Sequence, residues 1–164
     1  MADTNKNLMD AFAGESQANR KYLAYADKAA KEGFDQVAQL FRAAAHAETI
    51  HAHAHLRLAG KIHETMANLE DAISGETYEF TKMYPDMIKD AETDGSKAAA
   101  SYMKWVNAVE EVHANLYRKA LAAKGQMESV DYYVCTVCGY THEGPHDSSC
   151  PICNAPAKVF EKVA

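Results

Sequence analysis

Apolar residues recur at helical spacing through four long segments of this chain, about 4–31, 35–59, 65–92 and 96–124, while strand-like runs occur only after residue 131. The helical segments are rich in Ala, Leu, Lys, Glu and Met and hold a single proline, Pro85, which predicts a kink in the third helix. Glycines mark the breaks, at Lys31-Glu32-Gly33-Phe34, Gly60-Lys61-Ile62-His63 and Thr93-Asp94-Gly95-Ser96. Met66, Met83, Met87 and Met103 read as apolar filler between helices. Beyond Gly125 the composition changes. Residues 126–131 read as a linker, and residues 132–164 carry turn residues, four cysteines and short β-prone runs (Tyr132-Tyr133-Val134, Lys158-Val159-Phe160). The expected organisation is an all-α four-helix bundle over 1–125, the linker, and a small β-rich metal-binding domain over 132–164.

The helical region repeats itself. Leu8-Met9-Asp10-Ala11-Phe12-Ala13-Gly14-Glu15 resembles Leu69-Glu70-Asp71-Ala72-Ile73-Ser74-Gly75-Glu76, and His51-Ala52-His53 resembles His113-Ala114-Asn115. Within the repeat, Glu48-Thr49-Ile50-His51 and Glu110-Glu111-Val112-His113 each place a carboxylate and an imidazole three residues apart, on one helix face. Each pair has a lone carboxylate upstream: Glu15 for the first, Glu76 or Glu79 for the second. Two Glu-x-x-His pairs with one further Glu from each of two other helices form the ligand set of a carboxylate-bridged di-iron or di-manganese site. Tyr22, seven residues after Glu15, shares its face. Its ordinary role is packing; the sharper alternative is a hydrogen bond to a ligand. His46, His53 and His63 read as solvated, and His55 is at most a spare ligand.

Bulk properties narrow the class. The 164 residues carry a net charge of −6 without a basic run, which argues against nucleic-acid binding. No apolar stretch approaches the roughly 18 residues of a membrane span, and the sequence from Met1 to Asn7 lacks the pattern of a signal peptide. Every cysteine falls between Cys135 and Cys153. Such clustering points to a metal site in a reducing compartment, so a soluble cytoplasmic protein is expected.

Cys135-Thr136-Val137-Cys138 and Cys150-Pro151-Ile152-Cys153 are two Cys-x-x-Cys knuckles. Four thiolates at this spacing close a tetrahedral site suited to iron or zinc. The surroundings, Tyr133-Val134 before the first knuckle, Gly139-Tyr140 after it and Phe160 behind, resemble a rubredoxin more closely than a generic zinc ribbon.

The two halves together resemble rubrerythrin. The residues that carry the resemblance are Ala13-Gly14-Glu15-Ser16-Gln17-Ala18, the two Glu-x-x-His pairs, Tyr78-Glu79-Phe80-Thr81-Lys82-Met83-Tyr84-Pro85 and both knuckles. The resemblance implies a ferritin-like bundle and a non-haem di-iron peroxidase that reduces hydrogen peroxide with electrons relayed through a rubredoxin-type iron. It implies three irons per chain, with zinc the alternative occupant of the four-cysteine site as isolated, and an electron donor that is a rubredoxin or an NAD(P)H-dependent reductase. It further implies that Glu48 and Glu110 bridge, that Glu15 and His51 serve one iron, and that Glu79 and His113 serve the other. The repeat pairs Glu15 with Glu76, whereas the family context selects Glu79; Glu76 then stands one turn away, behind the ligands. The family usually has a further glutamate three residues after Glu79, and this chain has Lys82. A protonated lysine cannot ligate, so the expectation is an iron that stays on the His51 side with Lys82 balancing nearby carboxylates; the alternative is a head that turns to solvent.

Geometry adds an expectation about assembly. In the ferritin-like arrangement the second and third helices run parallel and need a long crossover. Returning from the His51 level to the start of the third helix spans about 35 Å, yet the residues from Gly60 to Glu64 reach at most roughly 17 Å. Either the bundle is a simple up-down-up-down one, or two chains form a homodimer with swapped helix pairs, which the resemblance favours. Rival readings are a ferroxidase or iron-handling protein using oxygen, against which the redox module counts, and a zinc-filled scaffold without activity.

Overall fold

The computed structural model describes residues 3–163; Met1, Ala2 and Ala164, at the outer ends of the expected 1–125 and 132–164 domains, lie outside the described residues. The chain forms two compact units, Met1–His63 and Glu64–Ala164.

The first unit is a helical hairpin of α1 (Thr4–Lys31) and α2 (Asp35–Leu58). Asp3 caps α1, its carboxylate accepting from the Lys6 amide at 3.1 Å. The hairpin closes on alanine: Ala26 and Ala29 of α1 and Ala38, Ala45 and Ala52 of α2 are buried. The α2 alanines recur every seven residues, and small side chains on such a seam let the two backbones approach closely. Asn19 is the one buried polar residue among those described. Its Nδ2 donates to the Ala45 carbonyl at 2.7 Å and to Thr49 Oγ1 at 2.8 Å, tying α1 to α2 one turn from Glu48. Gly60 ends α2 with φ +66°, and the Lys61 amide donates back to the Leu56 carbonyl at 3.1 Å. That is the left-handed stop that glycine adopts without penalty.

The second unit contains α3 (Thr65–Tyr78), a π-helical turn (Glu79–Met83), α4 (Tyr84–Thr93), α5 (Lys97–Ala122) and a three-stranded antiparallel sheet. The expected third helix therefore exists, but a widened turn breaks it just before Pro85. This turn has a reading in the sequence. Gly75 follows Gly14 by 61 positions (75 − 14), whereas Gly95 follows Gly33 by 62 (95 − 33). One extra residue thus lies between Gly75 and Gly95, and a π turn is how a helix absorbs an insertion without ending. Met87, expected as filler, is exposed; Met66, Met83 and Met103 are partly buried.

The sheet has strand order β2-β1-β3, from β1 (Tyr132–Cys135), β2 (Thr141–Glu143) and β3 (Phe160–Lys162). Val134 pairs with Thr141, and Cys135 with Phe160. The module's core is Cys135, Cys138 and Cys150, packed with Val109 of α5 and flanked by Trp105, Tyr140, Ile152 and Phe160. Beneath the cysteines, the two knuckles share one design. The Gly139 amide donates to the Cys135 carbonyl and the Asn154 amide to the Cys150 carbonyl, at 2.8 and 2.9 Å. Both Gly139 (φ +86°) and Asn154 (φ +62°) are left-handed, and asparagine is the residue that best tolerates that region after glycine. Among the described residues, no helix is long and apolar enough to cross a membrane.

Candidate metal centres

The Glu-x-x-His pairs are built by helix geometry alone. On α2, His51 Nδ1 lies 2.9 Å from Glu48 Oε2, and on α5 His113 Nδ1 lies 2.8 Å from Glu110 Oε2. Packing brings a third donor to each. Glu15 Oε1 of α1 stands 3.9 Å from His51 Nδ1, and Glu76 Oε1 of α3 stands 3.9 Å from His113 Nδ1. The ligand atoms of Glu15, Glu48 and His51 lie within 4.8 Å of one another, as do those of Glu76, Glu110 and His113. The repeat in sequence is thus a repeat in space, with two carboxylates and one imidazole in each unit.

The fold gathers Glu76 into the second cluster, and Glu79 is outside that set. Glu79 opens the π turn, half-buried, where Glu110 raises its carboxyl pKa after burial has done so. Glu76 is affected more: burial first, and Glu110 next, push its carboxyl from 4.5 to about 7. His113 is also raised, chiefly by its hydrogen bond to Glu110. Lys82 turns to solvent and pairs with Asp86 at 2.9 Å, so its charge is spent on the next turn of its own helix. Tyr22 packs in an aromatic trio with Tyr25 and Phe41, centroids 6.3 and 6.1 Å away. His46 and His53 are exposed, and His55 belongs to neither ligand cluster among the described residues.

Three residues at the second cluster escaped sequence reasoning. Tyr84 and Tyr117 both titrate above the ordinary tyrosine range, through burial first and then through nearby carboxylates, Glu110 and Glu79 ahead of Glu76 for Tyr84, Glu76 and Glu110 for Tyr117. Tyr84 follows Tyr22 by the same 62 positions (84 − 22) that separate Gly33 from Gly95, so the repeat did carry a signal for it. Thr141 of β2 is the third: its hydroxyl lies 3.0 Å from His113 Nε2. Only the tertiary fold joins residues so far apart in sequence.

The four cysteine sulfurs form one cluster, with Cys135–Cys153 at 3.7 Å and Cys138–Cys150 at 3.6 Å. Metal–sulfur bonds of about 2.3 Å at the tetrahedral angle give sulfur separations of about 3.8 Å, so the cage fits a single ion. Burial raises the Cys138 and Cys153 thiols. Burial also acts to raise Cys135, but hydrogen bonds from the amides of Val137 and Cys138, together with those to the Cys153 and Cys138 thiols, outweigh it and lower that thiol. A cation among the sulfurs displaces the remaining protons. The mixed carboxylate–imidazole clusters suit iron or manganese, and the thiolate cage suits iron or zinc.

Known proteins carry the same plan. The rubrerythrin family model matches residues 6–121, and the model of the rubrerythrin rubredoxin-like domain matches residues 133–161. Nigerythrin of Nitratidesulfovibrio vulgaris is 34% identical, the alignment covering 98% of this chain and 86% of that protein. Rubrerythrin-1 of Clostridium acetobutylicum is 33% identical, over 96% of this chain and 93% of its own. Rubrerythrin of N. vulgaris is 32% identical, with the same coverage of each. Among solved structures, nigerythrin in its partially reduced and its fully reduced, all-ferrous states each superposes with a TM-score of 0.60 at 32% identity, covering 99% of this chain and 88% of the other. The chain belongs to the rubrerythrin family, whose members are di-iron oxidoreductases of oxidative-stress defence.

Proposed function

We propose that this protein is a peroxidase that reduces hydrogen peroxide to two waters, consuming two electrons and two protons. The carrying observation is the join between its two kinds of site. Val109 packs against the cysteine cage, and the next residue, Glu110, belongs to the carboxylate cluster. A storage site does not need an electron-return module built into the same packing unit, which weighs against the ferroxidase reading.

In this reading three irons bind per chain: one on Glu15, Glu48 and His51, one on Glu76, Glu110 and His113, and one on the four cysteines. When bound, the paired irons supply the two electrons for O–O cleavage, and the sulfur-ligated iron restores them. Glu79, coupled to Glu110 and His113, offers a further carboxylate to the second position. Gathering this many acids is tolerable because cations neutralise them; without cations, Glu76 keeps its proton up to about pH 7 instead. The raised phenols of Tyr84 and Tyr117 stay protonated and can donate hydrogen bonds toward oxygens at the cluster.

The working form in this proposal is a homodimer with swapped helix pairs, in which the Glu15/Glu48/His51 cluster of one chain meets the Glu76/Glu110/His113 cluster of its mate. Two observations support it. Residues 59–64 connect α2 to α3 and reach at most about 20 Å, too short for a ferritin-like crossover within one chain. The α1–α2 hairpin also leaves Leu23, Val37, Leu40, Ile50 and Leu58 exposed, apolar surface of the kind that a second chain covers. The substrate is hydrogen peroxide, the donor a rubredoxin or an NAD(P)H-dependent reductase, and the setting the cytoplasm.

The test is peroxide consumption by iron-loaded protein supplied with a rubredoxin and its reductase. Wild type consumes one peroxide per two electrons, while E110Q and C138S each fall at least 100-fold. Unchanged peroxide turnover in C138S overturns the relay. Mixing an E48Q chain with an E110Q chain regenerates about a quarter of the sites if dimers exchange and swap; no recovery after verified exchange contradicts the swap.

A further inference from the structure

The second cluster is tied to the cysteine module by hydrogen bonds whose donors and acceptors can be assigned. Thr141 Oγ1 donates its one proton to the Gly139 carbonyl at 3.2 Å. It therefore accepts at 3.0 Å from His113, which must carry its proton on Nε2. The Gly139 carbonyl faces the same ring as a second acceptor. Fixing the proton on Nε2 leaves the Nδ1 lone pair for a cation, and Nδ1 is the atom turned to Glu110 and Glu76. A metal arriving there replaces the proton shared between Nδ1 and Glu110. Gly139 follows Cys138 directly, its amide closes the first knuckle on Cys135, and Thr141 pairs with Val134 of β1. The geometry of both acceptors thus depends on the knuckle being closed. His51 is different: its ring is exposed, its hydrogen bond runs through Nδ1 to Glu48, and Glu15 stands 3.9 Å from the same nitrogen.

We propose that Thr141 is a positioning residue through which the cysteine module sets the His113 tautomer, so that metal uptake at Glu76/Glu110/His113 is coupled to a loaded cysteine cage. The inference rests on reading Glu76, Glu110 and His113 as metal ligands. Outer partners of ligating histidines typically change metal affinity 10- to 100-fold, and such coupling is reciprocal between the two sites. The two centres of one chain would then load in order, cage first.

The test uses full-length protein with zinc in the cysteine cage and the carboxylate clusters stripped by a chelator. Cobalt(II) is titrated in and its visible bands are read. Thr141→Val, which keeps the shape and loses the acceptor, weakens cobalt binding at least 10-fold, and Thr141→Ser restores it to within about threefold of wild type. Removing the cage zinc from wild type produces the same weakening. A Thr141→Val protein that holds its zinc yet binds cobalt within twofold of wild type overturns the proposal. Should Thr141→Val lose its zinc, nitrogen-15 NMR of zinc-loaded wild type decides: a protected proton on His113 Nε2 supports the assignment, and an Nε2 without a proton overturns it. Wild type that takes up no cobalt refutes the metal reading itself, a distinct outcome from indifference to Thr141.

Discussion

Emptying the carboxylate clusters while leaving the cysteine cage loaded makes the stability of this protein fall as pH rises. The groups responsible are Glu76, Glu79 and His113, all of which hold their protons more tightly in the folded chain than their ordinary values imply. A group raised on folding stabilises fully below its unfolded pKa, and that contribution is lost as pH climbs through the folded value. For Glu76 the window runs from 4.5 to about 7. At about 1.4 kcal/mol per pH unit this bounds the Glu76 contribution at about 3 kcal/mol. Because the proton is shared electrostatically with Glu110 and His113, about 1–3 kcal/mol is the working range, at roughly 2–4 °C of melting temperature per kcal/mol for a chain of this size. Thermal unfolding of the stripped protein should therefore drop by about 3–10 °C between pH 5 and pH 8. Glu76→Gln, which cannot lose the proton's hydrogen-bonding role by titration, should flatten most of that slope. Metal-loaded protein should show the opposite trend, since bound ligands must have shed their protons. A stripped protein whose melting temperature is flat or rising over this range, or a Glu76→Gln variant with the full slope, would refute the reasoning.

Other consequences follow from the packing. Val109→Ala, which empties space beneath the cysteine cage, should cost about 2 kcal/mol by urea unfolding and shift the visible bands of the iron-loaded cage. Asn19→Ala removes the bonds from α1 to Ala45 and Thr49 and should cost about 1–2 kcal/mol, measured in the same way. Lys82→Ala should leave peroxidase turnover within twofold of wild type, because Lys82 engages Asp86 and not the carboxylate clusters. Cys150→Ser should abolish the rubredoxin-type colour while leaving metal binding at Glu15/Glu48/His51 in place.

Much of this arrangement can be read from the chain before any fold is known. Helical spacing puts Glu48 with His51 and Glu110 with His113 on shared faces, and the knuckle spacing implies a four-sulfur cage, because both depend on local geometry alone. Glu76 and Glu79 are harder to tell apart, since a π turn that absorbs one extra residue begins at Glu79. The internal repeat pairs Glu15 with Glu76 and is followed by the structural cluster, whereas the motif context draws attention to Glu79. Lys82 illustrates the same limit: its place in a motif suggests a role at the site, yet its position on the π turn sends it toward Asp86. Thr141 was invisible because nothing local links a strand residue to a helix histidine; only the docking of the module on α5 does so. Met87 shows that an apolar residue at helical spacing need not be core: it stands 42% exposed.

The central claim is that peroxide at the carboxylate clusters draws electrons from the cysteine-bound iron. The most direct measurement follows the visible bands of that iron after anaerobic, fully reduced protein is mixed with stoichiometric hydrogen peroxide, and separately with the same amount of oxygen. Rapid return of the oxidised rubredoxin-type colour with peroxide, and a much slower response to oxygen, is the predicted result. Oxygen acting at least as fast, or a cage that stays reduced while peroxide disappears, would contradict it.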